Sequence, residues 1–315
     1  MIIHCFPHFY IFILIFLLIT IKSQKTYIND PYINITIPEK SNDFILLKII
    51  PKLNDSSTYT EGLFIDEEYD ESSKSNITYL YETGGLFNST LQKFKYPSME
   101  LVKYLNLSVE NGYHFQIKWK EYGTGEIWAT GIAKCNNVLF LTTRHEFYVY
   151  QYDIKTLEKK VTHFRNYGGY RNNYHLYSWG LTESNETNVL FGSDGTQKIY
   201  RLNCTNNLAT INYQEVKFEG KIVPGIGDMV FVNGFIYANI YYGSKIAKID
   251  IKDFTIVKYF DLSNLVDFEL KKGFFTKYEF DRGKILNGIA YDKLKQNFLV
   301  TGKQWGNFYI IKFNE

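Results

Sequence analysis

Three cysteines, six prolines and six alanines in 315 residues leave several protein classes without their usual material. Cysteine this sparse excludes a small disulfide-stapled scaffold, and with no clustered histidine it excludes a structural zinc site; no metal and no cofactor are expected. Alanine is the strongest helix former, and its scarcity goes with the lack of any long stretch of apolar residues at helical spacing, so a helical bundle is excluded as well. The 35 basic and 33 acidic residues are interspersed and sum to +2. The chain therefore offers no basic stripe for nucleic acid and no acidic tail.

Long hydrophobic runs are nearly absent too. The exception is Phe9 to Ile21, uncharged and followed by Lys22-Ser23-Gln24. It suits the apolar region of a signal peptide and is short of the about 20 residues a membrane span needs. Residues 1–23 are expected to be a leader cleaved near Ser23, with a signal anchor as the alternative because only His4 and His8 precede the run. Residues 24–42, polar and Pro-containing, are expected to be flexible, and 43–315 to form the folded domain. Seven acceptor sequons, at Asn34, Asn54, Asn76, Asn88, Asn106, Asn185 and Asn203, point the same way, to a glycosylated monomer in the secretory lumen or outside the cell. Cys5 falls in the leader. Cys135 and Cys204 fall in turns on one face of the fold derived below, where an oxidising compartment permits a disulfide between them.

What the chain does have is a repeat. A small or polar residue, Gly (once Asp) and a hydrophobic residue open a strand at Glu61-Gly62-Leu63, Thr130-Gly131-Ile132, Trp179-Gly180-Leu181, Gly227-Asp228-Met229 and Asn287-Gly288-Ile289. The gaps between repeats leave room for four short strands each, which predicts an all-β, five-bladed propeller. Four strands are expected in each of the first four blades, but only three in the fifth, at 287–292, 296–301 and 306–313. The run Asp43 to Ile50 supplies the missing outer strand and would close the ring, hiding an edge that an open last strand would expose. Asn233-Gly234 between two apolar runs marks a hairpin, and Cys135-Asn136-Asn137 occupies the equivalent turn two blades earlier. Stretches 66–76, 108–127, 166–178 and 263–286 are read as insertions or inter-blade loops.

Blade geometry decides which residues can meet. Inner-strand starts and the loops joining second to third strands lie on one face, so Glu61, Thr130, Trp179, Asp228 and Asn287 are expected around one channel mouth with Arg144, Asp194, Tyr241 and Lys303. Asp194, in Ser-Asp-Gly-Thr, is read as a turn organiser.

The segments Tyr59-Thr60-Glu61-Gly62-Leu63, Tyr81-Glu82-Thr83-Gly84-Gly85-Leu86, Ser178-Trp179-Gly180-Leu181-Thr182, Ser193-Asp194-Gly195-Thr196, Ile236-Tyr237-Ala238-Asn239, Leu286-Asn287-Gly288-Ile289-Ala290-Tyr291-Asp292 and Val300-Thr301-Gly302-Lys303-Gln304-Trp305 resemble, in order, the plant and bacterial type of glutaminyl-peptide cyclotransferase. The resemblance implies a five-bladed propeller that cyclises the N-terminal Gln of peptides or proteins to pyroglutamate and releases ammonia without zinc. It places a proton-carrying Glu at the start of the second blade's inner strand, where this chain has Thr130; a gapped alignment would recruit Glu126 instead. The family's Gln in the first motif is Glu61 here, an Asn and acidic pair on blade four is Gly227-Asp228, and two Trp positions are Arg144 and Tyr241. Tyr59, Trp128, Trp179 and Lys303 are retained.

Glu61, Thr130 and Lys303 are thus the catalytic candidates: Glu61 as a displaced general base or a channel carboxylate paired with Arg144, and Lys303 to polarise the carbonyl oxygen. Tyr59, Trp128, Arg144, Trp179 and Tyr241 are the substrate-binding candidates. A catalytically silent propeller that binds a peptide end or other ligand in the same mouth is the alternative. A calcium-dependent hydrolase would need more than Glu61, Asp228 and Asn287 around a metal.

Overall fold

The computed structural model of the chain describes residues 41–52, 58–86, 89–107, 127–144, 148–164, 170–171, 175–176, 178–241 and 243–315. Strand β1 (Phe44–Pro51) precedes blade one, which is β2 (Thr60–Asp70), β3 (Ser75–Gly84), β4 (Thr90–Lys95) and β5 (Glu100–Asn106). Blade two is β6 (Ala129–Cys135), β7 (Val138–Thr143), β8 (Tyr148–Asp153) and β9 (Lys159–Phe164), followed by the short pair β10 (Tyr170–Arg171) and β11 (His175–Leu176). Blade three is β12 (Leu181–Glu183), β13 (Val189–Ser193), β14 (Lys198–Asn203) and β15 (Ala209–Glu215). The small strands β16 (Lys217–Phe218) and β17 (Lys221–Ile222) extend blade four, which is β18 (Ile226–Val232), β19 (Phe235–Ile240), β20 (Lys245–Asp250) and β21 (Thr255–Asp261). Helices α1 (Ser263–Lys271) and α2 (Lys277–Asp281) lead to blade five, β22 (Leu286–Asp292), β23 (Asn297–Gly302) and β24 (Asn307–Phe313).

The fifth sheet has the order β1-β24-β23-β22, so the N-terminal strand does complete the last blade. Its antiparallel register runs from Phe44 opposite Phe313 to Pro51 opposite Asn307. The inner strands touch in a circle, β2 against β6, β6 against β12, β12 against β18, β18 against β22 and β22 against β2. The repeated glycine explains how they approach. A Cβ on Gly131 would lie 2.6 Å from the Leu181 amide nitrogen, and one on Gly180 would lie 2.4 Å from the Gly227 carbonyl oxygen. At these two positions glycine is therefore a contact surface for the next blade, where a side chain would force the inner strands apart.

Between the blades the outward faces of the strands form the core. One cluster joins blades one and two through Tyr81, Leu91, Leu139 and Tyr152; another joins one and five through Ile50, Leu80 and Leu299. Leu190, Tyr200 and Leu202 pack with Ala133 and Phe140 between two and three, where Cys135 and Cys204 form a disulfide. The hairpin expected at Asn233-Gly234 joins β18 to β19, both residues having positive φ, 49° and 88°.

Two stretches read as loops are ordered differently. Within 66–76, β2 continues to Asp70 and β3 starts at Ser75, one long hairpin whose turn is capped by the Asp70 carboxylate on Ser72 and Ser73. Within 263–286 lie α1 and α2: α1 buries Leu265, Val266, Phe268 and Glu269, and α2 starts at a Thr276–Glu279 capping box. Both helices are short enough for their spacing to be lost in a window of ordinary length. The other two stretches, 108–127 and 166–178, and residues 25–40 lie largely or wholly outside the described residues, as does Glu126.

Candidate active site at the channel mouth

The mouth is assembled from strand ends and turn tips of different blades. Glu61 stands on β2, one residue before the glycine that packs on blade two. Its carboxylate oxygen Oε1 accepts hydrogen bonds from Trp128 Nε1 at 2.8 Å and from Lys303 Nζ at 2.9 Å, and Lys303 is also 2.9 Å from Oε2. Both partners of this ion pair are buried, Glu61 at 6 % and Lys303 at 4 % exposure. Lys303 follows β23 in a tip held by its own amide on the Ile285 carbonyl, by Gln304 N on the Thr58 carbonyl and by an isolated bridge to Tyr59. Burial lowers the Lys303 ammonium from its ordinary pKa and the Arg144 charge adds to this, while Glu61 opposes it.

Aromatic rings wall the pair. Lys303 Nζ lies 4.8 Å from the Tyr59 ring centroid and 5.9 Å from that of Tyr241. Trp179 meets Tyr241 edge to face at 4.6 Å, and Tyr59 meets Trp128 at 6.0 Å. Room for the indoles comes from two glycines: a Cβ on Gly85 would sit 2.5 Å from Trp128 Nε1, and one on Gly195, whose φ is +78°, would sit 2.5 Å from the Trp179 ring. The Arg144 guanidinium lies over Trp128 at 4.7 Å and over Trp179 at 5.5 Å. The partners of Glu61 are thus Lys303 and Trp128, where the sequence left Arg144 as a candidate. Trp179 Nε1 is buried with no acceptor among the described residues.

Thr130, the ungapped counterpart of the family's proton carrier, is turned into its own blade. Its hydroxyl donates to the Thr142 carbonyl at 3.0 Å and lies 3.1 Å from the Thr142 hydroxyl, and the residue is 1 % exposed. Asp194 binds Thr196 and the Tyr200 hydroxyl and so orders its turn, as expected.

Asp228 was expected at the mouth but lies buried where the inner strands converge, Oδ2 accepting from Ile289 N at 3.0 Å and Leu63 N at 3.3 Å. It occupies the one repeat in which Asp replaces Gly, so it ties three blades together. Its Oδ1 has no partner among the described residues, and desolvation pushes the carboxyl well above the usual carboxylate range, the Glu61 charge adding to this against the backbone amides. Asn287 Nδ2 binds the Thr60 and Glu61 carbonyls and keeps β2 and β22 in register.

Sequence reasoning missed one further carboxylate. Glu269 of α1, fully buried, accepts from Gly306 N at 2.8 Å, Asn307 Nδ2 at 2.9 Å and the Tyr309 hydroxyl, and so braces the chain just beyond Lys303. The only hint was its place in an insertion read as a loop. Among the sequons, Asn76 and Asn185 are exposed, Asn106 is half-buried, and Asn203 is half-buried and accepts from Thr205. Asn34, Asn54 and Asn88 lie outside the described residues.

Comparison with known proteins agrees with the fold. The sequence model of a family described as glutamine cyclotransferase matches residues 33–313. A glutaminyl-peptide cyclotransferase from Arabidopsis thaliana is 32 % identical over 168 residues, 53 % of this chain and 47 % of the relative, so the chain spans about half the length of the curated relative it matches. The crystal structure of Myxococcus xanthus glutaminyl cyclase superposes with a TM-score of 0.66 at 23 % identity, covering 86 % of this chain and 96 % of that one, and so shares the fold. With a family match across most of its length and the five closed blades described above, the chain belongs to the glutamine cyclotransferase family.

Proposed function

We propose that the chain converts the N-terminal Gln of peptides to pyroglutamate, using Glu61 in place of the carboxylate missing at Thr130. The reaction forms a bond between the α-amine nitrogen and the side-chain amide carbon and breaks that carbon's bond to the amide nitrogen, which leaves as ammonia. Three tasks follow: hold amine and amide together, stabilise the oxyanion, and move a proton from the attacking to the departing nitrogen. The observation that carries the reading is the Glu61–Lys303 pair, 2.9 Å apart inside an aromatic wall. Lys303 is a desolvated amine that can donate to the amide oxygen; Glu61 is the carboxyl group beside it, suited to the proton; Trp179 and Tyr241 offer faces against which the Gln side chain can lie.

Turnover is expected to be weak. Loss of a well-placed general acid–base group costs about 10² to 10⁴ in rate, and the Glu61 carboxylate is already engaged by Lys303 and Trp128. That engagement, with the Thr130 hydroxyl committed to Thr142, favours the second reading, a channel that binds Gln-initiated peptides without turnover. The assay is ammonia release from a Gln-initiated peptide amide, with the product's mass loss followed in parallel. Release that depends on the N-terminal amine supports cyclisation, and binding without release supports the silent channel.

The enzyme would act in the secretory lumen or outside the cell after loss of residues 1–23. No helix among the described residues is long and apolar enough to cross a membrane, and the exposed sequons Asn76 and Asn185 suit glycans. Expression in a eukaryotic host is expected to yield a protein lacking its leader that shifts in mass on glycosidase treatment; unmodified protein starting at Met1 would contradict this.

A further inference from the structure

The turn that carries Lys303, from Gly302 to Gly306, is held from two sides. On one, Lys303 Nζ reaches Glu61, Lys303 N donates to the Ile285 carbonyl and Gln304 N to the Thr58 carbonyl. On the other, the α1–α2 segment packs against it. Phe275 stacks on Trp305 at 6.3 Å, and a Cβ on Gly306 would lie 2.2 Å from the Phe274 ring, so only glycine lets that ring cover the backbone. The turn has no slack of its own, since a Cβ on Gly302 would lie 2.2 Å from the Trp305 indole and Trp305 N closes back on the Gly302 carbonyl.

Glu269 takes hold of the second half of this turn. Three donors converge on its two oxygens, Gly306 N on Oε2 at 2.8 Å, and Asn307 Nδ2 at 2.9 Å with the Tyr309 hydroxyl on Oε1. An ionised carboxylate accepts on both oxygens, whereas an amide in its place would turn its NH2 towards donors on one side. The residue is fully buried and forms no ion pair among the described residues, and burial raises its pKa against the three hydrogen bonds and the Lys52 charge. Burying such a group is costly, and packing alone would be served by an apolar side chain of the same size.

We propose that Glu269 is a positioning residue: through Gly306 and Asn307 it fixes the turn that presents Lys303 Nζ to Glu61 and to the substrate's amide oxygen. The proposal rests on the cyclotransferase reading only for what Lys303 does to a substrate, and the test separates the two. Lysine acylation by acetic anhydride, mapped by mass spectrometry, is measured on the intact protein for wild type, Glu269→Gln and Asn307→Ala, each first shown by circular dichroism to fold. The second variant removes one of the three donors and leaves α1 whole. Lys93 is the internal control, as buried as Lys303 and likewise paired with a carboxylate, Glu68. Loss of hydrogen bonds to a charged acceptor is expected to raise Lys303 labelling about tenfold in Glu269→Gln, and to raise it in Asn307→Ala, with Lys93 unchanged. Where wild type releases ammonia from Gln-Ala-Ala amide, kcat in Glu269→Gln is expected to fall about tenfold at little-changed KM, because a displaced Nζ is missed in the transition state more than in the bound ground state. Lys303 labelling as slow as in wild type, labelling that rises equally at Lys93, or an undiminished kcat overturns the proposal and leaves cyclisation standing. Absence of release by wild type defeats cyclisation, and selective labelling of Lys303 then sustains the positioning role on its own.

Discussion

The disulfide between Cys135 and Cys204 carries a calculable share of the stability. It joins the first turn of blade two to the end of the third strand of blade three, closing a loop with a sequence separation of 69. In the chain-entropy account such a link removes about 15 cal/mol/K from the unfolded ensemble, or about 4 kcal/mol at 25 °C. Both cysteines are also buried among Leu181, Leu190 and Leu208, so the link sits in the cluster that seals two blades together. The double variant Cys135→Ala/Cys204→Ala removes the covalent tie together with two buried sulfur atoms and leaves the surrounding leucines in place. In urea denaturation it is expected to lose about 4 kcal/mol, and in thermal scans about 10 °C for a domain of this size. Reduced wild type is expected to match the variant, and the variant itself to be indifferent to reductant. A loss under about 1 kcal/mol, or reductant-insensitive wild type, would refute both the magnitude and the pairing.

Other consequences concern the ring and its axis. Removing residues 43–50 strips the outer strand from blade five and leaves β24 as an open edge, so the truncated chain is expected to aggregate or become protease-sensitive; Phe44→Ala, at a fully buried ring, is expected to cost about 3–5 kcal/mol by denaturant titration. Asp228→Asn preserves the shape of a neutral acid and deletes the titration. Because burial raises the folded carboxyl well above its ordinary 3.8, the folded chain keeps a proton that the unfolded chain loses, and wild-type stability is eroded as pH rises from about 4 towards the folded value. The advantage of Asp228→Asn over wild type is thus expected to be smallest near pH 3 and to grow above pH 4; a pH-independent difference would contradict the buried, protonated state.

How much could be read beforehand depends on whether a residue acts through the backbone or through its side chain. The blades were legible because close approach of inner strands demands glycine at a repeated place, and because Asn233-Gly234 adopts the positive φ its turn requires. The closing strand was legible because blade five ran out of chain while an apolar run preceded blade one. Part of the mouth was legible as well, since topology brings the strand start of Glu61 to the turn tip of Lys303 and Trp179 to Tyr241, whereas Asp228 and Thr130 turn away from it. Pairings within the mouth were not. Arg144 and Lys303 are both cations within the same ring of loops, and only packing decides that Lys303 takes Glu61 while Arg144 lies on the indoles. Asp228 read as one more rim residue, although replacing glycine in the repeat sends its carboxylate between the strands. The insertion carrying Glu269 read as a loop, because one and a half turns of α2 and nine residues of α1 give too few periods for a hydrophobic pattern to stand out.

The central claim is that the catalytic carboxylate has moved from blade two to Glu61. It is tested most directly by ammonia release from a Gln-initiated peptide amide, measured for wild type, Glu61→Gln and Thr130→Glu, each first shown by circular dichroism to fold. The account predicts weak release by wild type and none above background in Glu61→Gln, whose amide keeps the shape of the carboxylate without its basicity. Undiminished release in Glu61→Gln, with a large gain in Thr130→Glu, would contradict it and return the proton-carrying position to blade two.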